Sequence, residues 1–273
     1  MGELSEQVIV VTGGGQGIGQ ALSVGLAAQG ATVVPVERTG AEVEETLRMV
    51  TEAGGEAVCI PADVTDAGQV AALAERLDAQ FGRVDVLINN AGSFRTLGPV
   101  AEQDPDAWWH DVTVMLLGTF LPCRYLLPLM IEAGRGTIIN LAGGGEDSPL
   151  PFSTSFASAK AGVVRFTECL AAEVRDQGIA VVCMSPGFVR TQMTEYLVFS
   201  EDGRKYQPAL QGMFDGDRPF PPHPVVALAA ALCAADLMPL TGRYMAVGED
   251  VAALLAQADD IAASDQRVLR LVR

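Results

Sequence analysis

Histidine is scarce in this sequence and cysteine is unpaired, which limits the chemistry available to it. The two histidines, His110 and His223, are too few and too far apart to indicate a metal centre. The five cysteines are odd in number and include no C-x-x-C pair, which argues against a disulfide framework and a zinc site. We therefore predict no metal and reduced, buried thiols, as in a cytoplasmic protein.

Basic residues are also few, and long apolar runs are missing. Eighteen Lys and Arg residues stand against 34 Asp and Glu, which gives a formal net charge of -16. A field of this sign repels phosphate backbones and anionic bilayers, so nucleic acid and membranes are not expected partners. The longest apolar run, residues 225–235, is far shorter than the roughly 20 residues that cross a bilayer. The polar residues 1–7 do not read as a signal peptide.

What the sequence does contain is an alternation of short apolar segments with longer segments of helical period. The short segments are apolar along most of their length, which is typical of strands buried on both faces of a parallel sheet. The predicted strands cover residues 8–12, 32–36, 57–60, 84–89, 137–141, 180–184 and 244–247. The predicted helices cover residues 16–29, 41–53, 67–81, 106–132, 155–177 and 224–235. This order predicts an α/β fold with a Rossmann-type, doubly wound, mostly parallel seven-stranded sheet and helices on both faces.

The chain shows no linker or repeat, so residues 1–273 are predicted to form a single domain of this Rossmann type. Two regions depart from the alternation. Residues 190–223 are polar and rich in Gly and Pro, which is typical of a substrate lid or binding loop. The tail, residues 249–273, begins like a helix and ends in an apolar and basic run, so it is expected either to pack on a neighbouring subunit or to fray.

The strongest functional signal is a glycine-rich turn between the first strand and the first helix. It reads Thr12-Gly-Gly-Gly-Gln-Gly-Ile-Gly19. Gly13 permits the tight turn, Gly17 allows close approach of a pyrophosphate, and Gly19 permits close packing of helix on strand. The amino terminus of the helix adds positive potential for the phosphates. Strand, glycines and helix in this order predict a dinucleotide site.

An acidic residue follows the second strand, at the position where dinucleotide-binding proteins discriminate between NAD(H) and NADP(H). Glu37 lies eighteen residues after Gly19, a position from which a carboxylate accepts the hydroxyls of the adenosine ribose. A 2′-phosphate there would meet like charge, so NAD(H) is predicted over NADP(H). Arg38 complicates this prediction, because a guanidinium can turn toward a phosphate.

Together with three further motifs, the turn resembles the short-chain dehydrogenase/reductase family over roughly residues 7–247. Asp63-Val64 resembles the family's adenine contact, and Asn89-Asn90-Ala91-Gly92 its motif after the fourth strand. Pro186-Gly187, with Thr191 downstream, resembles its nicotinamide contact. The resemblance implies a small-molecule substrate and a homotetramer or homodimer. The cofactor residues so assigned are Gly13, Gly15, Gln16, Gly17, Ile18, Gly19, Glu37, Arg38, Asp63, Val64, Asn90, Ala91, Gly92, Lys160, Pro186, Gly187, Val189 and Thr191.

The resemblance also implies a catalytic set of Tyr, Lys, Ser and Asn, of which the sequence retains Lys160. Phe156 stands at the tyrosine position, Ala142 or Gly143 at the serine position and Met115 at the asparagine position. Phenylalanine carries no exchangeable proton and cannot act as an acid or base. Two carboxylates that follow the glycines after the fifth strand, Glu146 and Asp147, are therefore candidate replacements.

Four functions fit these observations. The favoured hypothesis is a non-redox enzyme, a cyclase, isomerase or lyase acting on a small apolar substrate, with NAD(H) possibly retained as a structural part. The second is an NAD-dependent oxidoreductase of a carbonyl or alcohol with a relocated proton donor. The third is a noncatalytic NAD-binding subunit. The fourth is an oxidoreductase inactivated by substitution at Phe156 and Ala142.

Overall fold

A computed structural model describes residues 3–214 and 220–271, and within them seven strands form one parallel sheet. The strand order is β3-β2-β1-β4-β5-β6-β7, so the direction of winding reverses between β1 and β4. In such sheets ligands bind beyond the carboxyl ends of the strands at this reversal. The strands are β1 Val8–Thr12, β2 Thr32–Val36, β3 Glu56–Ala57, β4 Val86–Asn89, β5 Gly136–Leu141, β6 Ile179–Ser185 and β7 Tyr244–Ala246. The predicted fold is confirmed.

Eleven α-helices in the described residues surround this sheet. They are α1 Gly17–Ala27, α2 Glu44–Glu52, α3 Ala67–Phe81, α4 Pro105–Val112, α5 Gly118–Ala133, α6 Thr154–Val174, α7 Gln192–Phe199, α8 Glu201–Tyr206, α9 His223–Ala234, α10 Val251–Leu255 and α11 Ala258–Ala262. The side chains of β1 show how helices pack on both faces of the sheet. Ile9 and Val11 belong to an apolar cluster that includes residues of α1 and α9, whereas Val8 and Val10 belong to one that includes residues of α3 and α5. Burial on both faces is why the strands are apolar without alternation.

Two predicted elements are wrong in extent. The third strand ends at Ala57 rather than Ile60, because β3 is an edge strand that pairs only through Glu56 and Ala57 with β2. The single helix predicted over residues 106–132 is α4 and α5 joined by a π-helical turn, Thr113–Leu117. The extra residue per turn shifts the helix face at Met115, and a 3.6-residue pattern does not reveal such an insertion.

The segment Pro105–Ala133, taken as one helical stretch, is long and apolar enough to cross a membrane by length and composition alone. In the fold it contacts α3 and α6, and Leu126 and Met130 are fully buried. Packing beside the sheet therefore accounts for part of its apolar composition, since 44% of the apolar window is buried.

The described parts of the predicted lid segment and of the tail form more helix than their sequences indicate. Residues 190–223 carry α7, α8 and the start of α9, while residues 215–219 lie outside the described residues. The described tail, residues 249–271, forms α10 and α11 and then contacts β7 and α6 of its own chain, instead of fraying. Val272 and Arg273 lie outside the described residues. All five cysteines are free, but Cys169 is exposed and Cys59 half-buried, so burial is predicted correctly for three.

Candidate active site

Asn90 joins the glycine turn to the end of β4. Its side-chain nitrogen donates to the backbone oxygens of Thr12, at 2.8 Å, and Gly13, at 3.1 Å. The Thr12 hydroxyl in turn accepts from the backbone N–H groups of Asn90 and Ala91. The two motifs predicted from sequence thus form one hydrogen-bonded unit at the point where the sheet reverses its winding.

Close packing explains why the turn contains glycine. Gly13 has φ +65°, and a β-carbon there would lie 2.9 Å from the Ala91 Cα. A β-carbon on Gly19 would lie 1.9 Å from the Gly13 carbonyl oxygen, so α1 could not approach β1. Within the described chain no side chain caps the amino terminus of α1, and Gln16 and Gly17 are exposed there. This end of the helix therefore fits a phosphate.

Glu37 lies at the end of β2 and accepts a hydrogen bond from the Gly15 N–H at 3.2 Å. Burial raises the pKa of this carboxyl above its ordinary value, and the bond from Gly15 opposes that rise. Arg38 points to Glu42, with 3.1 Å between Nη2 and Oε1. The guanidinium that complicated the cofactor prediction is thus paired with a carboxylate.

The remaining predicted cofactor residues lie along the same edge of the sheet. Val64 is buried beneath α5, and Asp63 accepts from the Thr65 hydroxyl at 2.6 Å. Thr191 caps α7, and its methyl carbon would be 3.2 Å from a β-carbon on Gly17. Ile18, Gly92, Pro186, Gly187 and Val189 lie in the neighbouring loops and the first turn of α1. The geometry thus brings the start of α7 against the glycine turn.

Lys160 is buried on α6, and its ammonium donates to the Leu141 carbonyl oxygen at 2.7 Å. Desolvation by burial lowers the pKa of Lys160 to about 8, against opposing effects from Cys183 and Glu146. The Phe156 ring, one turn earlier, has its centroid 5.7 Å from the Lys160 Nζ. Met115 and Phe156 share an apolar cluster, while Ala142 and Gly143 follow β5.

The structure separates the two candidate carboxylates. Asp147 is exposed and accepts from the Ser148 hydroxyl. Glu146 is buried, and its Oε1 accepts from the Tyr244 hydroxyl at 2.8 Å. Among the residues the structure describes, nothing hydrogen-bonds its other oxygen, Oε2. A buried carboxyl oxygen without a partner is costly, so Oε2 is an acceptor that a bound ligand could satisfy.

Sequence reasoning missed Tyr244, which lies on β7, 98 residues from Glu146. Burial raises the pKa of the Tyr244 phenol well above its ordinary value, a hydrogen bond with Ser185 opposes the rise, and Glu146 adds to it. Ser185 directly precedes Pro186, so the pair of Glu146 and Tyr244 lies beside the predicted nicotinamide segment.

Asp111, at the end of α4, was also missed. This fully buried carboxylate accepts from the Ser93 hydroxyl at 2.7 Å, from the backbone N–H of Arg95, and from both the N–H and the hydroxyl of Thr96. It also accepts from the Ser155 hydroxyl, beside Phe156. Asp111 therefore fixes the loop after β4 against the start of α6.

Residues 7–201 of this chain match the sequence model of the family described as short chain dehydrogenase. The chain belongs to the short-chain dehydrogenase/reductase family. A cis-4-hydroxycyclohexanecarboxylate dehydrogenase from Sinomonas cyclohexanicum is 37% identical over 194 residues, covering 71% of this chain and 78% of the relative.

Two solved structures of the family have the same fold. Levodione reductase has a TM-score of 0.81 at 28% identity, covering 89% of this chain and 96% of that one. A gluconate 5-dehydrogenase from Burkholderia cenocepacia, in complex with NADP and tartrate, has a TM-score of 0.80 at 27% identity, covering 89% and 94%.

These relatives overturn the favoured functional hypothesis. The similar proteins of named activity are dehydrogenases and reductases, including a 3-oxoacyl-[acyl-carrier-protein] reductase and a D-threitol dehydrogenase. The prediction of a cyclase, isomerase or lyase is therefore wrong. That prediction rested on the replacement of the family's tyrosine, serine and asparagine by Phe156, Ala142 or Gly143, and Met115. The replacement shows that the usual catalytic set is absent, but it does not show that the protein catalyses a different class of reaction.

Proposed function

We propose that this short-chain dehydrogenase/reductase is an NAD(P)(H)-dependent oxidoreductase that interconverts a ketone and a secondary alcohol, with Glu146 in place of the usual proton donor. The observation that carries the proposal is the buried Glu146, with one oxygen bound to Tyr244 and the other unpartnered within the described chain. The names of the relatives support the reaction class.

The residues at the carboxyl edge of the sheet fit a dinucleotide. The uncapped start of α1 would hold the phosphates, Glu37 the adenosine ribose, and Lys160 the nicotinamide ribose. When bound, the nicotinamide supplies or takes the hydride. We propose a preference for NAD(H), because Glu37 occupies the ribose position and Arg38 is paired with Glu42.

Phe156, Ala142 or Gly143, and Met115 leave the family's tyrosine, serine and asparagine roles unfilled. A proton must nevertheless reach the substrate oxygen as the carbon gains its hydride. In ketone reduction the Glu146 carboxyl gives its proton to that oxygen, and the product is the alcohol and a Glu146 carboxylate. In the reverse direction the carboxylate takes the hydroxyl proton. The Lys160 ammonium stabilises the carboxylate, and Tyr244 holds it by donating a hydrogen bond.

The aromatic surroundings of Phe156 favour an alicyclic substrate. The Phe94 ring lies edge-on to Phe156, with 5.3 Å between centroids, and also contacts Tyr196 at 6.5 Å. Tyr196 belongs to α7 in the proposed lid, residues 190–223. Rings packed in this way bind flat or cyclic apolar faces. One relative is named for a cyclic compound, cis-4-hydroxycyclohexanecarboxylate.

The test is NADH and NADPH oxidation, followed at 340 nm, with substituted cyclohexanones and matched linear ketones, and the reverse reaction with the corresponding alcohols. We expect turnover of at least one cyclic ketone on the order of 1 per second or faster. Cofactor binding without turnover of any compound would contradict the proposal and favour the noncatalytic NAD-binding subunit.

We also propose a homodimer or homotetramer formed through α4 and α5. Large apolar side chains on this surface are exposed, among them Trp109 at 63% and Phe120 at 44%. Phe120→Glu should lower the mass measured by light scattering at micromolar concentration, because it places a charge in an apolar interface. Phe199→Glu is the matched control, since Phe199 is equally exposed on α7. A monomeric parent protein would contradict the assembly.

A further inference from the structure

The edge of the sheet at β7 is covered by the tail, and a single tail residue holds both outward backbone groups of Tyr244. The Tyr244 N–H donates to the Arg267 carbonyl oxygen at 2.9 Å. The Tyr244 carbonyl oxygen accepts from the Arg267 guanidinium at 3.2 Å. β7 pairs with β6 on its other side, so Arg267 occupies the position that a further strand would take.

Arg267 is itself fixed from two directions. Its guanidinium makes a two-pronged ion pair with Glu249, with distances of 2.8 and 3.0 Å between nitrogen and oxygen. Glu249 also accepts from the Ala246 N–H at the end of β7, at 2.6 Å. A bidentate ion pair of this kind fixes the orientation of the guanidinium in addition to neutralising its charge. Strand β7, Glu249 and Arg267 therefore form a closed set of hydrogen bonds around the Tyr244 backbone.

The backbone of Arg267 is strained. Its φ is +62°, in the left-handed region that arginine seldom adopts. Such conformations persist only where the surrounding structure imposes them, and they occur preferentially at functional sites. The tail then continues to Leu269, which packs against the apolar cluster formed by Ala142, Val163, Val164 and Cys183 beside the Tyr244 ring.

We infer that Arg267 is a positioning residue for the proton-transferring pair: it fixes the Tyr244 backbone and thereby keeps the Tyr244 hydroxyl on Glu146. Tyr244 reaches Glu146 from an edge strand of three residues, Tyr244–Ala246, which has few backbone bonds of its own. Loss of the Arg267 contacts lets this strand shift, and a displacement of about 1 Å at a reacting group can cost about 100-fold in rate.

This role rests on the proposed function, so the experiment has one readout that needs no substrate. Incorporation of 3-fluorotyrosine labels the four tyrosines for ¹⁹F NMR, and Tyr244→Phe assigns the Tyr244 resonance. Arg267→Gly removes the side chain while permitting a positive φ, so it is less prone to unfold than Arg267→Ala. Arg267→Lys keeps the charge but loses the bidentate ion pair. Arg270→Ala is the control, because Arg270 lies in the same tail but pairs with Glu168 and Asp265 instead of with Tyr244 and Glu249.

We expect Arg267→Gly to shift and broaden the Tyr244 resonance, to lower kcat by about 10- to 100-fold and to leave the KM for cofactor nearly unchanged, with a smaller effect for Arg267→Lys. Arg270→Ala should resemble the parent protein in each measurement. An unchanged Tyr244 resonance in a folded Arg267→Gly protein would overturn the inference, as would equal effects of Arg267→Gly and Arg270→Ala. If Glu146→Gln retains full turnover, the proposed proton donor is wrong, whatever Arg267 does.

Discussion

Glu146→Gln is expected to lower kcat by about 10²- to 10⁴-fold, the range that a positioned acid or base contributes. Glutamine has nearly the same shape, and its amide oxygen can still accept the Tyr244 hydrogen bond that Glu146 Oε1 accepts at 2.8 Å. The glutamine amide is not acidic, so it cannot transfer a proton to the substrate oxygen. Cofactor affinity should change little, because the groups proposed to hold the phosphates and the adenosine ribose belong to α1 and the end of β2, and Glu146 belongs to the loop after β5.

The adjacent carboxylate is the matched control for this variant. Asp147→Asn removes one charge from the same loop, but Asp147 is exposed and accepts its hydrogen bond from the neighbouring Ser148 hydroxyl. Its turnover should remain close to that of the parent protein. Tyr244→Phe should fall between the two variants, because it removes the hydrogen bond that orients Glu146 and leaves the acid in place. Full turnover by Glu146→Gln would contradict the proposed donor.

Whether a residue of this site can be predicted from the sequence depends on whether its role is set by local structure or by contacts between distant segments. The glycine turn and Glu37 stand at fixed spacings from a strand, so local pattern is sufficient to predict them, and the family resemblance adds Lys160. Tyr244 and Arg267 are different, because their role exists only where β7 meets the loop after β5 and the tail. Contacts between residues so far apart in sequence carry no periodic signal.

The same limit accounts for the errors in the secondary structure. Apolar residues continue past Ala57 to Ile60, so the sequence predicts a longer strand. Composition does not show that the backbone pairing of β3 with β2 ends after two residue pairs. The π turn at Thr113–Leu117 interrupts a run whose apolar pattern looks continuous. Glu146 and Asp147 look alike in sequence, and only the fold buries one and exposes the other.

NADH is expected to bind at least about tenfold more tightly than NADPH, and the double variant Glu37→Ser, Glu42→Gln is expected to remove or reverse this preference. A carboxylate about 4 Å from a phosphate costs about 4 kcal/mol at an effective dielectric constant of 20, and partial exposure of Glu37 reduces this value. Glu42→Gln weakens the ion pair of Glu42 with Arg38 and frees the guanidinium for a 2′-phosphate.

Calorimetric titration with both reduced cofactors measures this preference without any substrate, and Glu45→Gln is the control. Glu45 is an exposed carboxylate on α2 that pairs with Arg48, so its loss should leave the ratio of the two dissociation constants unchanged. The preference should also weaken as the pH falls. Burial raises the pKa of Glu37, so this carboxyl loses its charge at a higher pH than an ordinary glutamate, and its repulsion of a 2′-phosphate is lost with the charge. Tighter binding of NADPH to the parent protein would mean that Arg38 leaves Glu42 and dominates the site.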